Sequence, residues 1–244
     1  IKQSGVPVLV IDDQAHSEHY FADVVLNQNL HAHEGLYRRR EAYTRLLLGT
    51  RFVLLRREFL KWRSWRRRTP VIARRILVTL GGGAHDVVLL QLLEALAPVC
   101  VSGLEVLMVR GGGHDGIRKV RAAVEASGLP VRLEQDVWDM SQPMSWCDVA
   151  VSAGGSTCWE LSFMGVPMAT IVLSDNQAEI AASLEKADVG INLGAYDQLS
   201  VDRLTGTLSD LLMDERRRAR MSRNGRNLVD GRGAGRVAAA LASS

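Results

Sequence analysis

One arrangement recurs from residue 71 onward and limits the fold: a short apolar run, then a glycine-rich or polar turn, then a helical pattern. The apolar runs are RILVTL, LEVLMV, DVAVSA and VPMATIVL, and the turns begin with GGGAHD, GGGHDG, GGST and SDNQ. Repeated strand, turn and helix predict β-α-β units, which build a parallel sheet covered by helices on both faces. The sequence therefore predicts an α/β fold.

The chain changes character near Pro70. Residues 1–70 hold one clear apolar run, VPVLVIDD, and end in the basic stretch RREFLKWRSWRRRTP, whereas residues 71–244 carry the repeated units. We predict a domain boundary at this point. The final segment predicts two or three helices that break near Gly225 and Gly231.

Composition excludes several classes of protein. With 244 residues, 47% of them hydrophobic, the chain has enough apolar residues for a globular core. No apolar run reaches the ~18 residues of a transmembrane helix. The three cysteines lack the spacing of a zinc site, which favours a reduced, cytoplasmic protein in which Cys147 and Cys158 are core thiols. Asp175 and Glu160 form no ligand cluster, so we expect neither a metal nor a cofactor.

The basic stretch raises the alternative of a nucleic-acid or membrane binder, because arginine and tryptophan alternate in it. Trp62 and Trp65 are three residues apart, however, and on a helix they would share one apolar face that packs on a domain. We therefore expect no nucleic-acid partner.

The stretch SAGGSTCWE, residues 152–160, has the composition of an anion site at the start of a helix. Gly154 and Gly155 allow close approach of a ligand, and the hydroxyls of Ser156 and Thr157 add donors to the main-chain amides, as suits a diphosphate. The spacing of Thr157 and Glu160 equally fits a capping box without any ligand. Spacing alone leaves both interpretations open.

The other glycine tracts carry weaker signals. Residues 81–83 and 111–113 do not fit the dinucleotide pattern G-x-G-x-x-G with a following acidic residue. His114, beside Asp115, invites a catalytic role, although a single loop histidine is more often solvated. We expect tight turns at both tracts.

Several motifs together resemble one family along nearly the whole chain. SAGGSTCWE, VDGRGAGRVA, VIDD, NQNLHA and LLLGTRFVLLRREF resemble the UDP-2,4-diacetamido-2,4,6-trideoxy-beta-L-altropyranose hydrolases of pseudaminic acid biosynthesis and the related spore-coat polysaccharide proteins. That family is similar to the glycosyltransferases that add N-acetylglucosamine in peptidoglycan synthesis. The resemblance implies a glycosyltransferase-B-like α/β architecture of two Rossmann-like domains. Residues 1–70 would then be an incomplete amino-terminal domain with a basic linker, and residues 71–244 the UDP-binding domain.

The resemblance also implies roles for individual residues. Ser156 and Thr157 would hold the diphosphate, and Glu160 would accept hydrogen bonds from the ribose hydroxyls of the uridine. Asn176 and Gln177 would reach the diphosphate or the sugar. Arg56 would offset the negative charge that gathers on UDP when the glycosidic bond breaks.

The implied reaction is hydrolysis of a UDP-linked diacetamido-trideoxy sugar at its anomeric carbon, releasing UDP. The family's catalytic histidine belongs to a G-x-G-H-x-x-R loop that this chain lacks, and His114 in GGGHDGIR does not take its place. We therefore expect this chain to bind UDP-sugar without hydrolysing it. A glycosyltransferase of cell-envelope polysaccharide and a non-catalytic UDP-sugar binder remain alternatives, and the sequence favours no particular sugar or oligomeric state.

Overall fold

The computed structural model describes residues 5–82, 85–111 and 116–243. The chain forms two compact units. Unit 1 consists of Ile1–Arg63 and Asn227–Ser244, and unit 2 consists of Ser64–Arg226. The predicted domains, residues 1–70 and 71–244, stay a prediction.

The secondary structure alternates regularly after residue 71. In chain order the strands and α-helices are β1 (Leu9–Ile11), β2 (Val24–Asn27), β3 (Arg45–Leu48), β4 (Arg75–Thr79), α1 (Asp86–Leu96), β5 (Glu105–Arg110), α2 (Ile117–Ser127), β6 (Val131–Gln135), α3 (Ser141–Trp146), β7 (Val149–Ala153), α4 (Thr157–Phe163), β8 (Met168–Val172), α5 (Ala178–Lys186), β9 (Gly190–Ala195), α6 (Val201–Met213), α7 (Glu215–Leu228) and α8 (Gly233–Ala242). Short 3-10 helices span Glu34–Tyr37, Thr50–Phe52, Arg57–Trp62, Asp175–Gln177 and Tyr196–Gln198. Within the described ranges, no helix is both long enough and apolar enough to cross a lipid bilayer.

The sheet of unit 2 is parallel throughout, in the order β6-β5-β4-β7-β8-β9. Numbered from its first strand, this order is 3-2-1-4-5-6, the order of a doubly wound sheet. β7 and β8 are buried along their whole length, which agrees with their continuous apolar sequences. The predicted α/β fold with a parallel sheet is confirmed.

One large core holds unit 2 together. Leu92 and Leu96 of α1 pack with Val78 of β4 and Met108 of β5, and all four are almost completely buried. Leu208 of α6 belongs to the same cluster. Burial of five such side chains is worth about 1.5–3 kcal/mol each, so this layer of helices stabilises the sheet.

Unit 1 contains a smaller parallel sheet in the order β1-β2-β3. Successive side chains of β2 point to opposite faces of the sheet, so alternate residues belong to different hydrophobic clusters. One cluster contains Val24, Leu26, Leu47, Val237 and Ala240, and the other contains Tyr20, Ala22, Val25 and Tyr37. Helix α8, from the end of the chain, thus packs against one face of this sheet.

The VDGRGAGRVA motif fastens α8 inside unit 1. Arg236 donates through Nη1 to the Arg51 carbonyl at 2.7 Å and to Asp230 Oδ1 at 2.8 Å. A Cβ added to Gly233 would lie 2.2 Å from the Val53 carbonyl oxygen, so only glycine fits at the start of this helix. The motif is therefore used for packing of the final helix.

The predicted break at Gly225 is wrong, whereas the break near Gly231 is confirmed. Helix α7 continues through Gly225. A Cβ at this position would lie 3.1 Å from the Ser162 Cα and carbonyl oxygen, so the glycine serves close helix packing. Gly231 has a positive φ of 73° and lies between α7 and α8.

Two alanine substitutions in α8 test this packing. Gly233→Ala is expected to lower the free energy of unfolding by about 2 kcal/mol, because the new methyl group must displace main-chain atoms. Gly235→Ala is the matched control, since a Cβ there meets nothing within 4 Å; we expect it to raise the free energy of unfolding by about 0.5 kcal/mol through helix propensity. Urea denaturation followed by circular dichroism measures both. Equal effects of the two substitutions would contradict the packing role.

Candidate functional site

The doubly wound order predicts where a ligand can lie in unit 2. β4 and β7 are neighbours in the sheet. After β4 the chain continues to β5 on one side of this pair, and after β7 it continues to β8 on the other side. Loops that diverge in this way leave a crevice outside the carboxyl ends of the two strands. We take the carboxyl ends of β4 and β7 as the candidate functional site, and the loop after β7 begins there.

The loop after β7 contains the first pair of predicted residues. Ser156 is exposed and is the N-cap residue of α4, and Thr157 is the first residue of that helix. Ser156 has helical angles, φ −59° and ψ −24°, and its side chain makes no cap hydrogen bond. The capping box with Thr157 as N-cap is therefore not formed, because the helix begins one residue earlier than that box requires. Glu160 lies one turn into α4 and is partly buried.

The second pair follows β8. Asn176 is exposed, and its Oδ1 accepts a hydrogen bond from Ser174 Oγ at 2.7 Å. Gln177 is partly buried, and its Oε1 accepts from the Leu173 amide at 3.0 Å. This hydrogen bond orients the Gln177 amide, whose NH₂ end is then the donor available to a ligand.

A close main-chain contact brings these two loops together. A Cβ added to Gly154 would lie 2.9 Å from the Gln177 carbonyl oxygen and 3.1 Å from its Cβ. A Cβ on Gly155 would meet nothing within 4 Å. Gly154 therefore serves packing between the loops, whereas Gly155 leaves space beside the start of α4.

A partly buried ion pair lies at the same edge of the sheet. Arg110, the last residue of β5, is 2% exposed, and its Nε donates to Asp86 Oδ1 at 3.0 Å. Asp86 is the first residue of α1, where the helix dipole favours a negative charge. A buried charge needs such a partner, so the pair ties the end of β5 to the start of α1. Sequence analysis missed both residues; the available signal was a charge at the end of an apolar strand.

Arg56 belongs to unit 1, in which it precedes the 3-10 helix Arg57–Trp62. Its guanidinium lies 3.2 Å from Glu58 Oε1 and 5.4 Å from the centre of the Phe59 ring. The side chain is 46% exposed. The nearby carboxylate offsets part of its charge without enclosing it.

Two other expectations concern histidine and metal. His114 lies outside the described residues. Among the residues that the structure describes, no group of three or more His, Cys, Asp or Glu side chains is arranged to hold a metal ion.

Comparison with known protein families shows the family to which the chain belongs. The family model described as the glycosyltransferase family 28 C-terminal domain matches residues 76–231. The chain belongs to this family. The matched range contains nearly all of the unit 2 sheet and both loops of the candidate site.

Two curated relatives of this glycosyltransferase family 28 domain are similar in sequence. The spore coat polysaccharide biosynthesis protein SpsG of Bacillus subtilis (strain 168) is 28% identical over 169 residues, which are 69% of this chain and 50% of SpsG. A UDP-N-acetylglucosamine--N-acetylmuramyl-(pentapeptide) pyrophosphoryl-undecaprenol N-acetylglucosamine transferase of Alkalilimnicola ehrlichii is 32% identical over 121 residues, which are 48% of this chain and 34% of the transferase. The chain thus matches half or less of the length of these relatives.

A solved structure shows the same fold. MurG of Acinetobacter baumannii superposes with a TM-score of 0.71 at 14% identity, covering 100% of this chain and 69% of that protein. The glycosyltransferase-B-like α/β fold expected for this family 28 chain is therefore confirmed. The family is named for glycosyltransferases, and neither relative is named a hydrolase.

The cysteines of the family 28 chain differ sharply in environment. Burial raises the pKa of Cys147 and of Cys158 to about 12, and Cys158 Sγ donates to the Ala153 carbonyl at 3.1 Å. Cys100 is exposed. The thiolate is the reactive form, so only Cys100 is positioned to react at neutral pH.

Thiol titration checks this difference. We expect a disulfide reagent such as dithionitrobenzoate to modify one thiol per native chain at pH 8 and all three in urea. Cys100→Ser is expected to abolish the native reaction. Rapid modification of Cys158 in the folded protein would show that the helix after β7 is less tightly packed than the structure describes.

Proposed function

We propose that this chain is the nucleotide-sugar-binding part of an enzyme that transfers a sugar from a UDP-sugar to an acceptor in the synthesis of a cell-envelope or spore-coat polysaccharide. The family match over residues 76–231 carries the proposal, because this range holds the switch-point sheet and its loops. The names of the two relatives supply the donor nucleotide and the polysaccharide setting.

The diphosphate of the donor lies at the start of α4 in this proposal. Ser156 and Thr157 donate hydroxyl hydrogen bonds to its oxygens, together with the main-chain amides of the loop. The space beside Gly155 and the exposure of Ser156 support this placement. The absence of a cap hydrogen bond from Ser156 supports it too, because the hydroxyl is not committed to capping the first turn of the helix.

The remaining residues bind the two ends of the donor. Glu160, one turn along α4, accepts hydrogen bonds from the ribose hydroxyls. Asn176 and the NH₂ group of Gln177 reach the diphosphate or the sugar. The contact between Gly154 and Gln177 supports a shared role for the two loops, because it fixes one against the other.

The reaction is a displacement at the anomeric carbon. An acceptor oxygen forms a bond to this carbon while the bond from the carbon to the UDP oxygen breaks, and the electron pair of that bond remains on UDP. The proton of the acceptor hydroxyl passes to a base that we do not assign. The role that the resemblance implies for Arg56, offsetting the charge that develops on the leaving diphosphate, stays a prediction from the sequence. With water as the acceptor the same step is hydrolysis.

Calorimetric titration with UDP tests the binding site. We expect the double variant S156A/T157V to bind UDP at least about a hundredfold more weakly, since each of the two hydrogen bonds to a charged group contributes about 1.5–3 kcal/mol after competition with water. The double variant S102A/T207V is the control, because these hydroxyls belong to the segment before β5 and to α6. Equal affinity of both variants for UDP would overturn the site.

Product analysis separates transfer from hydrolysis. We expect UDP-N-acetylglucosamine to release UDP only when an acceptor from a cell-envelope polysaccharide is added. Release of UDP and free sugar without acceptor would instead establish hydrolysis. UDP binding without turnover under either condition would identify a non-catalytic UDP-sugar binder.

A further inference from the structure

A second concave surface lies at the amino-terminal edge of the unit 2 sheet. It is bordered by Arg75, the first residue of β4, and by Asp148, immediately before β7, and it encloses about 580 Å³. Side chains lining this basic pocket include Trp65, Arg66, Arg67, Arg68, Arg75 and Trp146. In a parallel sheet this edge is separated from the carboxyl ends by the length of the strands, about 16 Å for five residues.

Arg67 gives the basic pocket a fixed positive charge. It donates hydrogen bonds to the carbonyl oxygens of Met144, Cys147 and Met164, the last at 3.2 Å. These acceptors orient the guanidinium but carry no net charge, so they do not neutralise it. Burial lowers the pKa of Arg67, and the nearby Asp148 carboxylate offsets part of this effect.

Further guanidinium groups lie close by. Arg226 donates to the Phe163 carbonyl at 2.7 Å. Its pKa is lowered first by burial and then by the positive charges of Arg66 and Arg67. Like charges are thus held near one another at this edge, and an anion between them would relieve their repulsion.

Tryptophan rings hold several of these arginines in place. The guanidiniums of Arg75 and Arg132 lie 5.8 Å and 5.6 Å from the centre of the Trp146 ring. Arg67 lies 5.1 Å from the centre of the Trp65 ring. Stacking restricts the planar guanidiniums before any ligand arrives, which lowers the entropy lost on binding.

The acidic side chain within this pocket is already engaged. Asp148 accepts hydrogen bonds from the main-chain amides of Arg74 and Arg75, at 2.8 Å and 3.0 Å. Glu105, whose Oε1 lies 3.6 Å from Arg75 Nε, is 56% exposed and therefore offsets little of the charge. Cations thus outnumber carboxylates around the cavity.

We propose that the basic pocket binds phosphate groups, as a site separate from the UDP site at the opposite edge of the sheet. A multiply charged phosphate matches both the excess of guanidinium groups and their planar donor geometry. The phosphate belongs either to a small soluble anion or to a phospholipid headgroup. This inference does not depend on the proposed glycosyl transfer.

Calorimetric titration with inorganic pyrophosphate in the presence of saturating UDP tests the site on the whole chain. We expect the double variant R66Q/R68Q to bind pyrophosphate at least tenfold more weakly, because two charge-assisted contacts are lost. The control R121Q/R216Q removes the same charge from exposed positions on α2 and α7 and is expected to retain binding within twofold. Thermal unfolding followed by circular dichroism checks that both variants remain folded.

Cosedimentation with vesicles separates the two sources of phosphate. Pyrophosphate binding without vesicle binding supports a soluble ligand. Binding to phosphatidylglycerol vesicles but not to phosphatidylcholine vesicles supports a phospholipid headgroup, provided that the R66Q/R68Q variant no longer binds the phosphatidylglycerol vesicles. Failure to bind either probe overturns the proposal. Equal loss in the control variant, or displacement of pyrophosphate by UDP, also overturns it. Loss of UDP binding with pyrophosphate binding retained would contradict the proposed function but not the phosphate site in the basic pocket.

Discussion

Parallel pairing of β4 with β7 is the constraint on which unit 2 depends. The register sets Ile76 beside Val149 and Thr79 beside Ser152, so both strands end at the same edge. Because every other pair in the sheet is also parallel, all strand-to-helix turns meet at that edge and all helix-to-strand turns meet at the other. The two edges therefore differ in chemistry. Hydroxyl and amide groups lie at one edge together with the Arg110–Asp86 pair, and the arginines of the basic pocket gather at the other.

Arginine has two distinct uses in unit 2. Some arginines fasten the chain by donating to main-chain carbonyls: Arg218 is completely buried and donates to the carbonyl oxygens of Leu211 and Leu212, and also to those of Pro70 and Val71. These bonds join the stretch before β4 to the end of α6. Neutral carbonyls satisfy the donors of these arginines without cancelling the charge, which nearby carboxylates such as Asp148 offset in part. Arg67 combines both effects, which is why a basic run in the sequence becomes a defined pocket.

The predictable features are those that depend on neighbours in the sequence. Alternating apolar runs and glycine-rich turns were enough to predict a parallel sheet, and the position of Ser156 and Thr157 at the start of a helix followed from the same pattern. Whether that helix is capped could not be predicted, because it depends on the backbone angles of Ser156. The pairing of Arg110 with Asp86 was equally inaccessible, since 24 residues separate them along the chain. The two charges meet only because the connection β4-α1-β5 places the end of β5 beside the start of α1.

The amino-acid sequence by itself determined the α/β class, the four strand-turn-helix units that begin with β4, β5, β7 and β8, and the family to which the chain is similar, because hydrophobic period and turn residues act over a few positions. β6, α3 and β9 were not predicted from it. The tertiary structure decided which glycines serve packing, which arginines are buried, and which loops share an edge. Gly154 illustrates the difference. Its sequence context indicated close approach of a ligand, whereas its nearest contact is the main chain of Gln177. That contact exists only because β7 and β8 are adjacent and parallel, and strand adjacency is a property of the folded sheet.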